Sequence, residues 1–148
     1  MEITASYHRS SFARVSMTLA VLGVVAGGLL SGAQAQSLRD LRAQDSEQRA
    51  LEREAAFTQS VCGINFDISI DWRSAADWPR NVSIAASCDG ALGALEAICR
   101  KGRTPRVTRF VCAGDGAGAS MRGGTLRYGA SPGDSGFSDT KAVLEDAN

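Results

Sequence analysis

The segment from Cys88 to Cys99 constrains the fold of this chain more than any other stretch. Its apolar residues recur at spacings of three and four, the period of one face of a helix, and Ser87 stands at the preceding N-cap position. Gly90 and Gly93 each weaken such a helix by about 1 kcal/mol relative to alanine. The sequence therefore predicts a helix that is stabilised by packing and cross-links rather than by its own propensity.

The same helix limits how the four cysteines can pair. Cys88 and Cys99 point in the same direction but lie roughly 16 Å apart along a continuous helix, whereas a disulfide requires Cα atoms within about 7 Å. Each must therefore bond a cysteine outside the helix, Cys62 or Cys112. We expect one strand before the helix and one after it, both antiparallel to it. These strands place Cys62 near the carboxyl end of the helix and Cys112 near its amino end. We predict the bridges Cys62–Cys99 and Cys88–Cys112.

Residues 1–35 have the pattern of a secretory signal peptide. Two arginines precede an apolar run at residues 17–30, and Ala33-Gln34-Ala35 matches the small-x-small signal for cleavage after Ala35. The run has about 14 residues, fewer than the roughly 20 that span a bilayer, so we expect no transmembrane segment in the mature chain. An uncleaved anchor is the alternative. The sequence predicts a periplasmic or secreted product, in an oxidising compartment where cysteines form disulfides.

Alternation of apolar and polar residues over positions 64–72 predicts a strand with its apolar side chains on one face. A second strand is expected over residues 106–113, after the helix. The segment 114–118 is rich in glycine, and its Asp-Gly step predicts a hairpin turn. A poorer strand follows near residues 120–128, where we expect a bulge or kink at Gly123-Gly124.

Together these elements predict an α+β fold, in which an N-terminal helix precedes a β-α-β-β layer of one helix on a small sheet. We assign residues 61–148 to this disulfide-stapled domain, with a short helix at residues 138–145 capped by Ser138 or Asp139. Residues 36–60 are expected to form an exposed helix, because they favour helix but their apolar side chains do not form one stripe. That helix is either a solvated extension or a surface for a partner or a second copy.

The predicted mature chain has no histidine, because the single one is His8. Catalytic triads and metal sites that use imidazole are therefore excluded, and oxidised cysteines cannot act as nucleophiles or zinc ligands. We predict no cofactor and no metal. A formal net charge of zero gives no general attraction to nucleic acid.

Five cations within ten residues form the strongest candidate binding surface. They could bind an acidic polymer of the cell envelope, or they could only stabilise the carboxyl end of the helix. Trp78 is a second candidate, either as a stacking platform for a glycan or as a lid on the core. The five cations, here called the basic patch, are Arg100, Lys101, Arg103, Arg106 and Arg109.

Two classes of function remain open. The first is a non-enzymatic binding or interaction module of the bacterial envelope, whose partner is an envelope protein or an acidic polymer; the scarcity of lysine beside arginine, alanine and glycine suggests a bacterial source. The alternative is a small carboxylate-dependent hydrolase or inhibitor-like domain. A pocket that brings Asp115 and Tyr128 together would favour the enzyme.

Overall fold

The computed structural model describes residues 30–147, with the backbone alone for residues 30–36. Residues 1–29 of the predicted signal peptide therefore lie outside the described residues, and the predicted cleavage point after Ala35 falls within the first helix. No helix among the described residues has both the length and the apolar character needed to cross a bilayer. The elements in chain order are α1 Leu30–Cys62, β1 Asp67–Asp71, α2 Ile84–Arg100, β2 Arg109–Ala113, β3 Gly118–Arg122, β4 Thr125–Gly129 and α3 Phe137–Asp146.

The strands form one four-stranded sheet in the order β1-β2-β4-β3. Strands β1, β2 and β4 are parallel, and β3 is antiparallel to β4. The three helices pack on the sheet face that carries Ile70, Phe110, Leu126 and Tyr128, and α2 lies between α1 and α3. The opposite face carries charged and small side chains. This architecture confirms the predicted α+β fold.

Helix α2 begins four residues earlier than the sequence predicts. Its N-cap is Ser83, whose hydroxyl accepts a hydrogen bond from the Ala86 N–H at 3.1 Å. Ser87, the predicted cap, lies in the first turns of the helix and donates its hydroxyl to the Ser83 carbonyl at 3.0 Å. Such back-bonding lets a serine remain inside a helix, so the position of a serine alone does not identify the cap.

Both predicted disulfides are confirmed, one near each end of α2. Cys62 and Cys99 have Cα atoms 5.1 Å apart, and Cys88 and Cys112 have Cα atoms 5.9 Å apart. The second bridge is fully buried, whereas both cysteines of the first are only partly buried. The bridges therefore join α1 to the end of α2 and the start of α2 to the sheet.

The region after β2 differs from the prediction. Gly123 and Gly124 do not form a bulge within one strand; they are the two turn residues of a hairpin between β3 and β4, both with positive φ (53° and 81°) as a type I′ turn requires. The segment 114–118 is not a hairpin, because β4 lies between the strands that it connects. Helix α3 starts after Gly136 rather than at Ser138 or Asp139.

Helix α1 is exposed over residues 37–43, but its second half belongs to the core. Leu51 and Ala55 are almost completely buried against α2 and the sheet. Two glutamines of α1 bond to backbone groups at the edge strand: the Ile70 N–H donates to Gln48 Oε1 at 3.2 Å, and Gln59 Nε2 donates to the Phe66 carbonyl at 2.7 Å. The expectation of an exposed helix over residues 36–60 therefore applies only to its first part.

Candidate functional site

A cleft of about 290 Å³ lies between α1 and the loop that joins β1 to α2. The loop contributes Trp72, Trp78 and Pro79 to the cleft, which gives it an aromatic wall. The facing wall comes from α1 and is mainly polar, and the loop side also carries Arg80 among small and apolar residues. We call this feature the tryptophan cleft.

The loop wall is fixed by contacts to the carboxyl ends of β1 and β2. The indole N–H of Trp78 donates to the Val82 carbonyl at 2.9 Å. Ser74 donates its hydroxyl to the Asp71 carbonyl at 2.7 Å and accepts from the Gly114 N–H at 2.9 Å. A Cβ on Gly114 would lie 2.9 Å from the Trp78 ring, so only glycine allows this close packing. Trp78 thus packs on the core from one side while it lines the cleft.

The helix wall consists of Asp40, Gln44 and Glu47, which are spaced four and three residues apart and therefore share one face of α1. Glu47 Oε2 accepts two hydrogen bonds at the start of α2, from Ser83 Oγ at 2.7 Å and from the Ala85 N–H at 2.9 Å. A carboxylate is favourable at this end of a helix because the backbone N–H groups there are unpaired and carry partial positive charge. Glu47 therefore joins the two helices and shapes the cleft.

The charges of the cleft nearly cancel. The carboxylate of Glu47 is used by the start of α2, which leaves Asp40 and Arg80 as one charge of each sign. Among residues 37–147, neither of these two side chains takes part in a salt bridge. Both are exposed and can exchange water for a ligand.

The structure divides the basic patch among three places: the end of α2, the end of α3 and the open face of the sheet. Arg103 donates to the Glu145 carbonyl at 3.1 Å, and Arg106 is exposed. The other three cations form ion pairs: Arg100 with Glu96 at 3.3 Å, Lys101 with Glu145 at 3.4 Å, and Arg109 with Asp67 at 3.8 Å. Four of the five cations thus have an acceptor within the protein.

Asp115 and Tyr128, the residues of the hydrolase hypothesis, do not meet. Asp115 is bound by the Arg127 guanidinium, and this hydrogen bond holds the pKa of the carboxyl below its usual value. Tyr128 is next in sequence and points to the opposite face of the sheet, where burial raises its pKa to about 12. The carboxylate therefore stays ionised beside its arginine, and the phenol stays protonated in the core.

Sequence reasoning identified Trp78 but missed the wall that faces it. The missing signal was the spacing of Asp40, Gln44 and Glu47, which continues through Leu51 and Ala55 as a single face of α1. Its first three members are polar, so a search for apolar periodicity does not find it.

Comparison of the chain with protein-family models, curated proteins and solved structures finds no match. The two disulfides indicate an oxidising, non-cytoplasmic compartment. This compartment and the chemistry of the tryptophan cleft are therefore the two properties of the protein that bear on its function.

Proposed function

We propose that the protein is an exported, non-enzymatic binding module of the bacterial envelope and that the tryptophan cleft is its ligand site. The leader pattern of residues 1–35, with cleavage after Ala35, supports export to the periplasm or beyond. The disulfides support the same compartment. A small scaffold with two cross-links is suited to holding a binding surface in place outside the cell.

The observation that carries the proposal is the position of the tryptophans. The chain has two, Trp72 and Trp78, and both line the same cleft. Ligand sites in proteins are concave, largely apolar or aromatic, and contain a few placed polar groups that orient the ligand. Asp40, Gln44 and Arg80 supply such groups here.

The other hypotheses have less support. A hydrolase that uses Asp115 needs a carboxyl free to exchange a proton, whereas the pKa of this one is lowered by the hydrogen bond from Arg127. An acidic polymer needs unpaired cations, and four of the five in the basic patch already have acceptors. A binding role for the cleft requires neither a carboxyl that exchanges a proton nor a cluster of unpaired cations.

Two measurements test the proposal. N-terminal sequencing of the protein from envelope fractions is expected to begin at Gln36. Co-sedimentation of the mature protein with purified cell-wall sacculi, envelope lipid vesicles or crosslinked envelope proteins is expected to show saturable binding to one of them. The variant Asp40→Arg should reduce that binding because it places a long cation in the cleft.

The matched control is Glu54→Arg, the same charge reversal at an exposed position on α1 outside the cleft. It should bind as the wild type does. Absence of saturable binding to all three fractions, or an equal loss in both variants, would contradict a ligand site in the cleft. Recovery of the protein from the cytoplasm with residues 1–35 attached would contradict export.

A further inference from the structure

We propose that the tryptophan cleft binds one ring of an uncharged glycan, stacked on tryptophan. This inference rests on the proposed function and names the ligand class of the same site. The cleft volume of about 290 Å³ is just below the roughly 300–1,000 Å³ typical of small-molecule sites. It has room for one ring-sized unit of a longer chain, not for a helix of a protein partner.

The charges of the cleft favour a ligand with no net charge. Asp40 and Arg80 offset each other, and the carboxylate of Glu47 is already bonded to the start of α2. An acidic polymer would be repelled by the carboxylate of Asp40, and a cationic peptide would be repelled by the guanidinium of Arg80. Burying an unpaired charge beside a like charge is costly, so a neutral ligand avoids a penalty that either charged class would incur.

The polar groups of the cleft suit hydroxyl groups. Asp40 offers acceptors only, Arg80 offers donors only, and the Gln44 amide offers both. A sugar hydroxyl donates and accepts at once, so adjacent hydroxyls on a ring can use all three side chains. Each of these side chains ends in a planar group, with two polar atoms in Asp40 and Gln44 and three in Arg80, so each can contact two neighbouring hydroxyls.

Trp78 contributes its ring and not its N–H. The indole N–H is bonded to the Val82 carbonyl, and the core holds the ring from the side of Gly114. A ring held in this way loses little conformational freedom when a ligand stacks on it, which favours binding. The apolar C–H face of a sugar ring is the surface that an aromatic ring can cover while the hydroxyls at its rim stay hydrogen-bonded.

Intrinsic tryptophan fluorescence provides a direct test, because both tryptophans line the cleft and oligosaccharides do not emit. The mature, oxidised protein is titrated with the neutral oligosaccharides chitotetraose, maltotetraose and cellotetraose. Polygalacturonate and a tryptophan-free arginine-rich peptide are titrated in parallel. We expect a saturable change in emission with at least one neutral oligosaccharide and none with the charged probes.

The double variant Asp40→Ala/Gln44→Ala removes hydroxyl-binding groups without touching the core, and it should weaken the oligosaccharide affinity about tenfold. Glu54→Ala, on an exposed part of α1 outside the cleft, should leave the affinity unchanged. Equal affinities in all three proteins would overturn the inference.

A cleft-dependent response to the peptide or to polygalacturonate, without one to the oligosaccharides, would overturn the glycan assignment and leave the proposed function standing. No response to any probe would also overturn the glycan assignment. The co-sedimentation assay would then decide separately whether the cleft binds another envelope component.

Discussion

Removal of the two disulfides one at a time tests whether chain entropy or burial determines what each contributes to stability. The paired variants are Cys62→Ala/Cys99→Ala and Cys88→Ala/Cys112→Ala. Alanine is preferred to serine because Cys88 and Cys112 are fully buried, where a methyl group is less costly than a polar hydroxyl. Each variant keeps the other bridge intact.

The bridges close loops of 37 and 24 residues. Loop-closure entropy alone assigns them about 3.8 and about 3.5 kcal/mol of the free energy of unfolding, so it predicts a slightly larger loss for Cys62–Cys99. When burial is included, the larger loss of stability is expected for Cys88–Cys112. Loss of two sulfur atoms from the closed core at Cys88–Cys112 adds about 1–2 kcal/mol for lost packing and the cavity, whereas the partly buried Cys62–Cys99 site can be filled by water.

Urea unfolding of the oxidised mature protein measures both losses through the midpoint and the slope. We expect losses of about 4 kcal/mol for the Cys62/Cys99 variant and about 5 kcal/mol for the Cys88/Cys112 variant. A larger loss from the Cys62/Cys99 variant, with unchanged slopes, would refute the reasoning from burial. A loss below about 1 kcal/mol in either variant would refute the loop-entropy estimate itself.

Three further predictions concern single side chains. Glu47→Ala should lower the free energy of unfolding in urea by about 1–2 kcal/mol, because its carboxylate accepts two hydrogen bonds at the start of α2; Glu54→Ala should change it by less than about 0.5 kcal/mol. Gly124→Ala should lower the free energy of unfolding more than Gly123→Ala in the same assay. Both positions have positive φ, but only at Gly124 would the added methyl group contact a side chain, Thr108, at 2.7 Å. Asp115 has a lowered pKa in the folded protein, so its contribution to stability is present above the pKa of the unfolded chain, about 4, and is lost as pH falls through the folded value. Asp115→Asn should therefore flatten the fall of thermal stability on acidification below about pH 4, and an unchanged profile would contradict the assigned cause.

The sequence predicted what rigid geometry determines. A continuous helix separates Cys88 from Cys99 by a distance that no disulfide spans, which leaves two of the three possible pairings. The expected direction of the strands before and after the helix then selected the pairing that the structure has. The alternation over residues 64–72 correctly identified the buried side of β1, with Phe66 and Ile70 in the core. Neither inference required knowledge of a distant partner.

The parts that sequence reasoning missed depend on such partners. Glu47, Gln48 and Thr58 look like surface residues of α1, yet each bonds to a group on another element, as when Thr58 Oγ1 donates to Glu96 at 2.9 Å. A polar residue whose partner lies far away in sequence carries no apolar signal. The buried face of α1, and with it one wall of the tryptophan cleft, therefore could not be found from periodicity.

The turn at Gly123-Gly124 was misread for a related reason. Two consecutive glycines fit either a bulge or a two-residue turn, and the choice depends on whether the flanking residues pair with each other. They do, as β3 and β4, and β4 then inserts next to β2. Local sequence does not encode that insertion.

The glutamines of α1 also limit how copies of this protein can associate. Gln48 and Gln59 occupy two backbone groups along the outer side of β1, the Ile70 N–H and the Phe66 carbonyl, so a strand from another molecule cannot pair along the whole of that border. Fibril growth by strand addition needs two available borders on every molecule, one to receive a neighbour and one to offer. In the described sheet the other border is β3, so two molecules that pair through β3 would each be left with only the obstructed β1 border. The fold thus limits polymerisation through strand addition.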